Sequence, residues 1–387
     1  MVANIILVLS YLLLPAAILY LCHRFPFVNK IGSVVIAYIL GLIIGNTGIL
    51  PEGSYQFQDA LVTVTIPLAI PLLLFSANIR SWFAVAGRTM ISMLVALVSV
   101  VIMVTLGYLL FRGGGMQDLW KIGGMMVGVY SGGTPNLASL QMMLDVNPDT
   151  YIITHTYDMI LSSIYLFFLI TIGKKVFSLI LPPYRHSIKI NKEKRKEVVF
   201  NGGDPYWGMF KKNSLKKLSL ALGLSILIFA IGGGISLLVP ESQQMVVAIL
   251  LITSLGIAAS FIPRVNRIER SFEAGMYLIL IFSIVVASMA DITQFSGAAP
   301  NLFKYVTFVV FGSLVLHVLF SSLFKVDTDT VMITSTALIC SPPFVPVIAG
   351  AIRNREVIVS GLTVGIIGYA VGNYLGFMVA EMLKILP

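Results

Sequence analysis

Apolar stretches of about 20 residues, each long enough to span a hydrocarbon layer, recur twelve times along this chain. They lie near 3–22, 31–49, 58–79, 89–111, 119–144, 150–174, 215–239, 243–263, 272–292, 301–324, 329–352 and 356–386. No soluble core holds that much apolar chain: 57% of residues are hydrophobic and 11% charged, against about 25% charged in a soluble domain. Mean hydropathy is +0.94. The expected fold class is therefore an all-α polytopic membrane protein with about 12 transmembrane segments. The first segment lacks a basic start and a small-residue cleavage site, and it is read as a retained helix rather than a signal peptide. Cys22 and Cys340 both fall in apolar segments, where they read as small buried side chains and not as a disulfide or metal pair.

The net charge of +9 is unevenly placed. Twelve of the 26 basic residues lie between Lys174 and Lys217, which reads as a cytoplasmic orientation signal beside a span. Contact with anionic lipid heads is a second role for them, and nucleic acid is not an expected partner. The only long polar stretch, 175–214, divides the chain into a first repeat, 1–174, and a second, 215–387.

The two halves echo one another. The third segment ends in Ala77-Asn78-Ile79 and the ninth in Ala290-Asp291-Ile292, and each is followed by one ordinary span and then a broken one. The first broken segment, 119–144, contains Ser131, Gly132, Gly133, Thr134, Pro135 and Asn136. The second, 329–352, contains Ser341, Pro342, Pro343 and Pro346. Loop charge alternates with opposite sense in the two halves: His23, Arg24 and Lys30 against PESQQ, then Glu52 and Asp59 against PRVNRIER. Basic loops face the cytoplasm, so the halves are read as inverted repeats. Twelve full spans conflict with this reading, because they give both broken segments the same direction. Either the seventh segment, interrupted by Gly232, Gly233 and Gly234, does not cross fully, or a span is miscounted near the basic loop.

Unwound backbone survives at membrane depth only where protein buries it or a wet cavity receives it. Half-helix N-termini there suit an anion and half-helix C-termini a cation. Paired breaks at matching positions point to a transport site built from Ser131, Gly132, Gly133, Thr134, Asn136, Ser341 and Pro342. Asp158, within the helix after the first break, is an intramembrane carboxylate and a candidate for binding a coupling ion, with Na⁺ between Asn136 and Asp158. His155 lies three residues earlier on the same face. Asn78 and Asp291, at equivalent segment ends, either cap helices or face the cavity. His317 and Asn373 read as packing residues, as do the glycines Gly365, Gly368, Gly372 and Gly376, which form a small-residue face. No phosphate-binding loop or zinc-ligand spacing is present and the four histidines are scattered, so no enzyme activity and no cofactor are expected.

At IPLAIPLLLFSANIRSWF, WKIGGMMVGVYSGGTPNLASL, ASMADI and GLTVGIIGYAVGNYLGF the chain resembles the YjcL-like membrane family, known as domain of unknown function 819, over nearly its whole length. The resemblance implies membership of the cation:proton antiporter and bile acid:sodium symporter superfamily. It also implies a core domain with two crossed, broken helices and a panel domain. By that resemblance 119–144 and 329–352 are the crossing helices, Asp158 sits at the ion-binding carboxylate, and a homodimer is expected. The chain departs from the family pattern at CSPPFVPVIA in the second broken segment and at Met159 after Asp158. The expected protein is a secondary transporter of the inner (cytoplasmic) membrane, moving a small solute such as an organic anion with Na⁺ or H⁺ by alternating access. A cation:proton antiporter and a channel-like or structural membrane protein are the alternatives.

Overall fold

The computed structural model describes residues 2–25, 28, 33–75, 87–113, 116, 118–184, 212–268, 270–290, 299–354 and 356–386, and among these the regular structure is helical. The order is α1 (Val2–Arg24), α2 (Ser33–Asn46), α3 (Ser54–Phe75), α4 (Gly87–Phe111), α5 (Leu119–Gly132), α6 (Thr134–Met143) and α7 (Pro148–Phe168), with a π-helical turn at Leu169–Gly173 extending α7. Then come α8 (Lys212–Ser236), α9 (Glu241–Ser260), α10 (Ser271–Met289), α11 (Ala299–Leu323), α12 (Thr328–Ser335), α13 (Val345–Ala351) and α14 (Ile358–Ile385). Nine helices among the described residues are long and apolar enough to cross a membrane, and α2 is a shorter apolar helix. The helix is dictated by the solvent: only internal backbone bonding satisfies an apolar run of this length in lipid. Helix α8 runs unbroken through Gly232, Gly233 and Gly234 to Ser236, so the seventh segment is a full-length helix and does not account for the direction conflict.

The chain forms two compact units, each drawing on both halves of the sequence. The first lies within Met1–Ala77, Gln141–Thr156 and Asp204–Pro300. Its centre is α10, packed on α2 and α3. Gly41 and Gly45 bring α2 against the α10 backbone at Ile284 and Ser288, leaving no space for a β-carbon, the close approach that small residues allow between membrane helices. Tyr11, Gln58 and Ser288 close a buried hydrogen-bonded triangle there, with distances of 2.6–3.0 Å.

The second unit lies within Asn78–Leu140, Tyr157–Gly203 and Asn301–Pro387 and contains the second broken segment and the first as far as Leu140. Each segment folds back on itself. A β-carbon on Gly128 of α5 would overlap the Leu140 side chain of α6 and lie 3.5 Å from the Asn136 carbonyl. In a continuous helix, residues 128 and 140 would stand about 18 Å apart. The second segment closes the same way: Asn354 Nδ2, just past α13, donates to Asp329 Oδ2 at the start of α12 (2.9 Å). Both segments are thus helical hairpins, a departure from the crossing helices that the resemblance implies. Each break combines positive-φ backbone, at Gly133 and Ser341, with a nearby proline.

Helix α14 orders the two hairpins by a stripe of glycines along one face. In turn, Gly361 meets Ile333 and Val345 of the second hairpin's arms, and Gly365 meets Pro342 at its tip. Gly368 then meets the Ser131 carbonyl and Gly372 meets Asn136 at the first hairpin's tip, and Gly376 meets Leu140 between that hairpin's arms. The open ends of the hairpins therefore lie at opposite ends of α14, whose 28 residues extend about 42 Å. Lys384, at its far end, lies 5.0 Å over the Trp120 ring at the start of α5.

Candidate functional site

At the first tip, α5 stops at Gly132 because Gly133 adopts φ 78°, ψ −167°, a region open in practice to glycine alone. The Gly133 N–H still reaches Val129 O (2.7 Å), and its own carbonyl accepts from Asn136 N and Leu137 N, which starts α6. Pro135 sits in that first turn, where its missing N–H costs nothing. Ser131 Oγ donates to Gly128 O (3.1 Å), and Asn136 Nδ2 donates to Gly368 O on α14 (3.1 Å). The Asn136 bond holds the tip against α14, the Ser131 bond stays within α5, and Thr134 is the half-exposed member of the group.

At the second tip, α12 widens into a π-helical turn, Thr336–Cys340, and Ser341 follows at φ 84°, ψ 154°. A 3₁₀ turn over Pro342–Phe344 then leads into α13. The tips meet: a β-carbon on Gly133 would lie 2.6 Å from Ser341 Oγ. Ser341 is a non-glycine residue in a strained conformation that costs of order 1–3 kcal/mol, and its hydroxyl is aimed at the other tip. Ser341→Gly is therefore expected to raise thermal stability by about 1 kcal/mol, the strain relieved less the extra chain entropy of glycine, while weakening any ligand held between the tips. Unfolding in detergent checks the first part; a lower melting temperature for the variant would show that the hydroxyl's own contacts outweigh the strain.

Asp158, on α7, is 5% exposed and accepts a hydrogen bond from Ser162 Oγ (3.1 Å). The Tyr130 hydroxyl on α5 lies beside its carboxyl, close enough to interact. Cys340, the residue before the second tip, interacts with Asp158 as well, and its thiol points at Ser162 O (3.9 Å). The carboxylate thus sits next to both tips within one unit. His155 belongs to the other unit, its ring edge-on to Tyr38 at 4.9 Å and tilted against Tyr151 at 6.0 Å. Asn78 and Asp291 lie outside the described residues. The neighbours of Asp158 were missed in the sequence. Ser162, four residues on, shares its helix face and is legible by spacing, whereas Tyr130 and Cys340 arrive only through the hairpins.

The second hairpin is anchored by charge. Lys174 Nζ pairs with Asp329 Oδ1 (3.0 Å), the two side chains being 47% and 4% exposed, and it also donates to Ile352 O (3.0 Å). One lysine therefore ties both ends of that hairpin to the chain that continues α7. Asp327 caps α12 through Thr330 N (2.9 Å). Removing one partner of a buried pair costs about 3–5 kcal/mol, but here the burden is unequal. Lys174→Met strands a buried carboxylate and is expected to cost about 2–3 kcal/mol after discounting for the half-exposed lysine. Asp329→Asn frees a lysine to reach water and is expected to cost about 1 kcal/mol or less. Unfolding of both variants checks the order.

The fold and these hairpins define a polytopic α-helical membrane protein. The chain belongs to the family described as "Protein of unknown function (DUF819)", which matches residues 10–386. It is similar to the "Uncharacterized membrane protein YjcL" of Bacillus subtilis (strain 168), with 28% identity over 366 residues that cover 92% of this chain and 90% of that protein.

Proposed function

We propose that the protein is a secondary transporter of the cytoplasmic membrane that moves a small solute with Na⁺ or H⁺ by alternating access. The observation that carries this reading is the meeting of two hairpin tips beside a buried carboxylate, at mid-length of α14. The C-terminal ends of α5 and of the turn Thr336–Cys340 bring carbonyl dipoles to the site, which suit a cation held with Asp158. The N-terminus of α6 starts at the same place and suits the negative group of an organic anion. No enzymatic step enters this scheme.

The hairpins also supply the sidedness that alternating access needs. Between the open end of the first and that of the second, the chain passes through Pro148–Phe177, Lys217–Ser236, Gln243–Ser260, Ser271–Met289 and Pro300–Leu323. Among the described residues these are five candidate spans, an odd number, which supports hairpins that enter from opposite faces and halves that are inverted repeats. The unit holding both hairpins is then the moving part, and its tip site is offered to each face in turn. The basic linker places the second hairpin's open end in the cytoplasm.

A cation:proton antiporter is the second reading. It is favoured by the direct contact of Gly133 with Ser341, which suits a bare ion better than an organic solute. Vesicles containing the purified protein separate the two. Under an imposed Na⁺ gradient, an antiporter moves protons with no organic solute present, as read by an internal pH dye, whereas a symporter moves neither Na⁺ nor H⁺ until its solute is supplied. Absence of any ion-driven flux, with and without a panel of organic anions, would leave the hairpins a structural role.

A further inference from the structure

The turn that follows α9 carries charge that the transport reading does not use. From the end of α9 at Ser260 the chain runs through Phe261 and Ile262 into a single helical turn, Pro263–Asn266. Pro263 stands at its first position, where a missing N–H costs nothing. Asn266 N and Arg267 N donate to Ile262 O and Pro263 O (3.0 and 3.2 Å), and Asn266 Nδ2 donates to Phe75 O at the end of α3 (3.1 Å). The turn is thus fixed to its own unit. Arg264 and Arg267 lie three residues apart, a spacing that sets side chains on one side of a helical turn with β-carbons about 5–6 Å apart. Both are exposed, and neither side chain has a hydrogen bond or ion pair among the described residues. Arg270 differs, being close enough to the Glu273 carboxylate of α10 to interact with it.

Phe261 and Ile262, just before the arginines, are 50% and 51% exposed. The other end of α9 supplies the contrast. There Leu237 and Leu238 are exposed as well, but the charge that follows them is Glu241. Both ends of α9 present apolar side chains, and one end adds unpaired cations. Among the described residues two candidate spans, Lys217–Ser236 and Gln243–Ser260, separate that end from the basic linker. An even number supports placing the arginine turn on the linker's face. Chain orientation needs only charge on that face. It does not call for two unpaired guanidinium groups on one side of an anchored turn, beside exposed apolar side chains.

We propose that Arg264 and Arg267 form a binding surface for the phosphate of an anionic phospholipid of the cytoplasmic leaflet, with Phe261 and Ile262 against its acyl chains. The surface rests on the cytoplasmic placement of the basic linker and on no ion coupling by Asp158. Guanidinium groups suit this partner because their planar donors match phosphate oxygens in pairs and they are weakly hydrated. A free phosphate would meet the same donors but leave the apolar pair uncovered, so the occupant is a lipid. Near an anionic leaflet each such cation changes affinity about fivefold. A lipid held here also steadies the end of α3, because Asn266 of the same turn holds Phe75 O.

The test uses the whole purified protein in vesicles that mix phosphatidylglycerol with phosphatidylcholine. Trp82, Trp120 and Trp207 are replaced by phenylalanine, and one tryptophan is returned as Phe261→Trp or, separately, Leu238→Trp. Bromine on the acyl chains of one lipid or the other quenches the tryptophan that this lipid touches. Phe261→Trp is expected to prefer phosphatidylglycerol, and Leu238→Trp to show no preference. Arg264→Gln and Arg267→Gln should each lower the preference about fivefold and together remove it. Equal quenching by the two lipids at Phe261→Trp overturns the surface. So does a preference that survives both arginine substitutions, which assigns it to the basic linker. Loss of the preference on adding inorganic phosphate at constant ionic strength overturns it too, by making the turn a site for a free anion. The chain with its own tryptophans gives a second reading in detergent: phosphatidylglycerol should raise its melting temperature more than phosphatidylcholine does, and the double arginine variant should lose that difference. An unchanged difference in that variant overturns the surface as well. None of these outcomes depends on ion-driven flux, so the lipid surface and the transport reading fail separately.

Discussion

Asp158→Asn is expected to abolish the response of the protein to Na⁺. At a hundred times its Kd, an ion that binds only the folded state adds about 2.7 kcal/mol of stability, which a melting curve in detergent at constant ionic strength resolves. Asparagine keeps the size of the side chain and can still accept from Ser162 Oγ, which lies 3.1 Å from the carboxylate, so the substitution removes charge and little else. Without Na⁺ the variant is expected to melt at or above the wild-type temperature. A charge at this depth carries about 2.5–3.5 kcal/mol of insertion cost that the amide avoids. Ser162→Ala, which removes the hydroxyl donor and leaves the charge, should keep a reduced response. If wild type and Asp158→Asn respond to Na⁺ alike, the carboxylate does not couple ions, and the hairpin tips become elements of architecture.

Much of this unit was legible in the sequence because its signals are local. Gly132, Gly133 and Pro135 mark the first break and Pro342 and Pro343 the second, and the structure interrupts its helices there. The glycine face of α14 is likewise a periodic pattern, and it does pack closely, against both hairpins. The fold-back was not legible. Whether a broken helix continues or returns depends on the dihedrals of single residues, Gly133 and Ser341, and on distant partners such as Leu140 against Gly128 and Asn354 against Asp329. None of these is encoded by hydropathy. His155 shows the converse limit: shared helix spacing placed it with Asp158, yet its ring packs on Tyr38 and Tyr151 in the other unit. His317 read as a packing residue because a single buried histidine usually is one, and it lies buried on α11 with Nε2 3.0 Å from Ser92 Oγ of α4.

The fold-back has a consequence that can be read as a yes or a no. Take single cysteines at Gly113, between α4 and α5 where nothing lies within 4 Å of a β-carbon, at Phe324, 58% exposed between α11 and α12, and at Ile385, 81% exposed at the end of α14. Among the described residues five candidate spans separate position 113 from position 324 when the first broken segment returns to the face it left. If that segment instead crossed the membrane there would be six crossings, and the two positions would share a face. With Cys22 and Cys340 replaced, a membrane-impermeant maleimide added to intact cells should modify cysteines at 113 and 385. It should reach a cysteine at 324 only after the membrane is opened. The side is set by the basic run that follows Lys174, because Lys174 is tied to Asp329 at the open end of the second hairpin, and basic loops stay in the cytoplasm. Labelling of 113 and 324 from the same face would restore crossing helices and remove the inverted repeat. Labelling from opposite faces leaves two hairpins entering from the two sides, so a site at their meeting tips reaches either solution through a path about half a bilayer deep. That is the geometry in which one small movement of a single unit can exchange access.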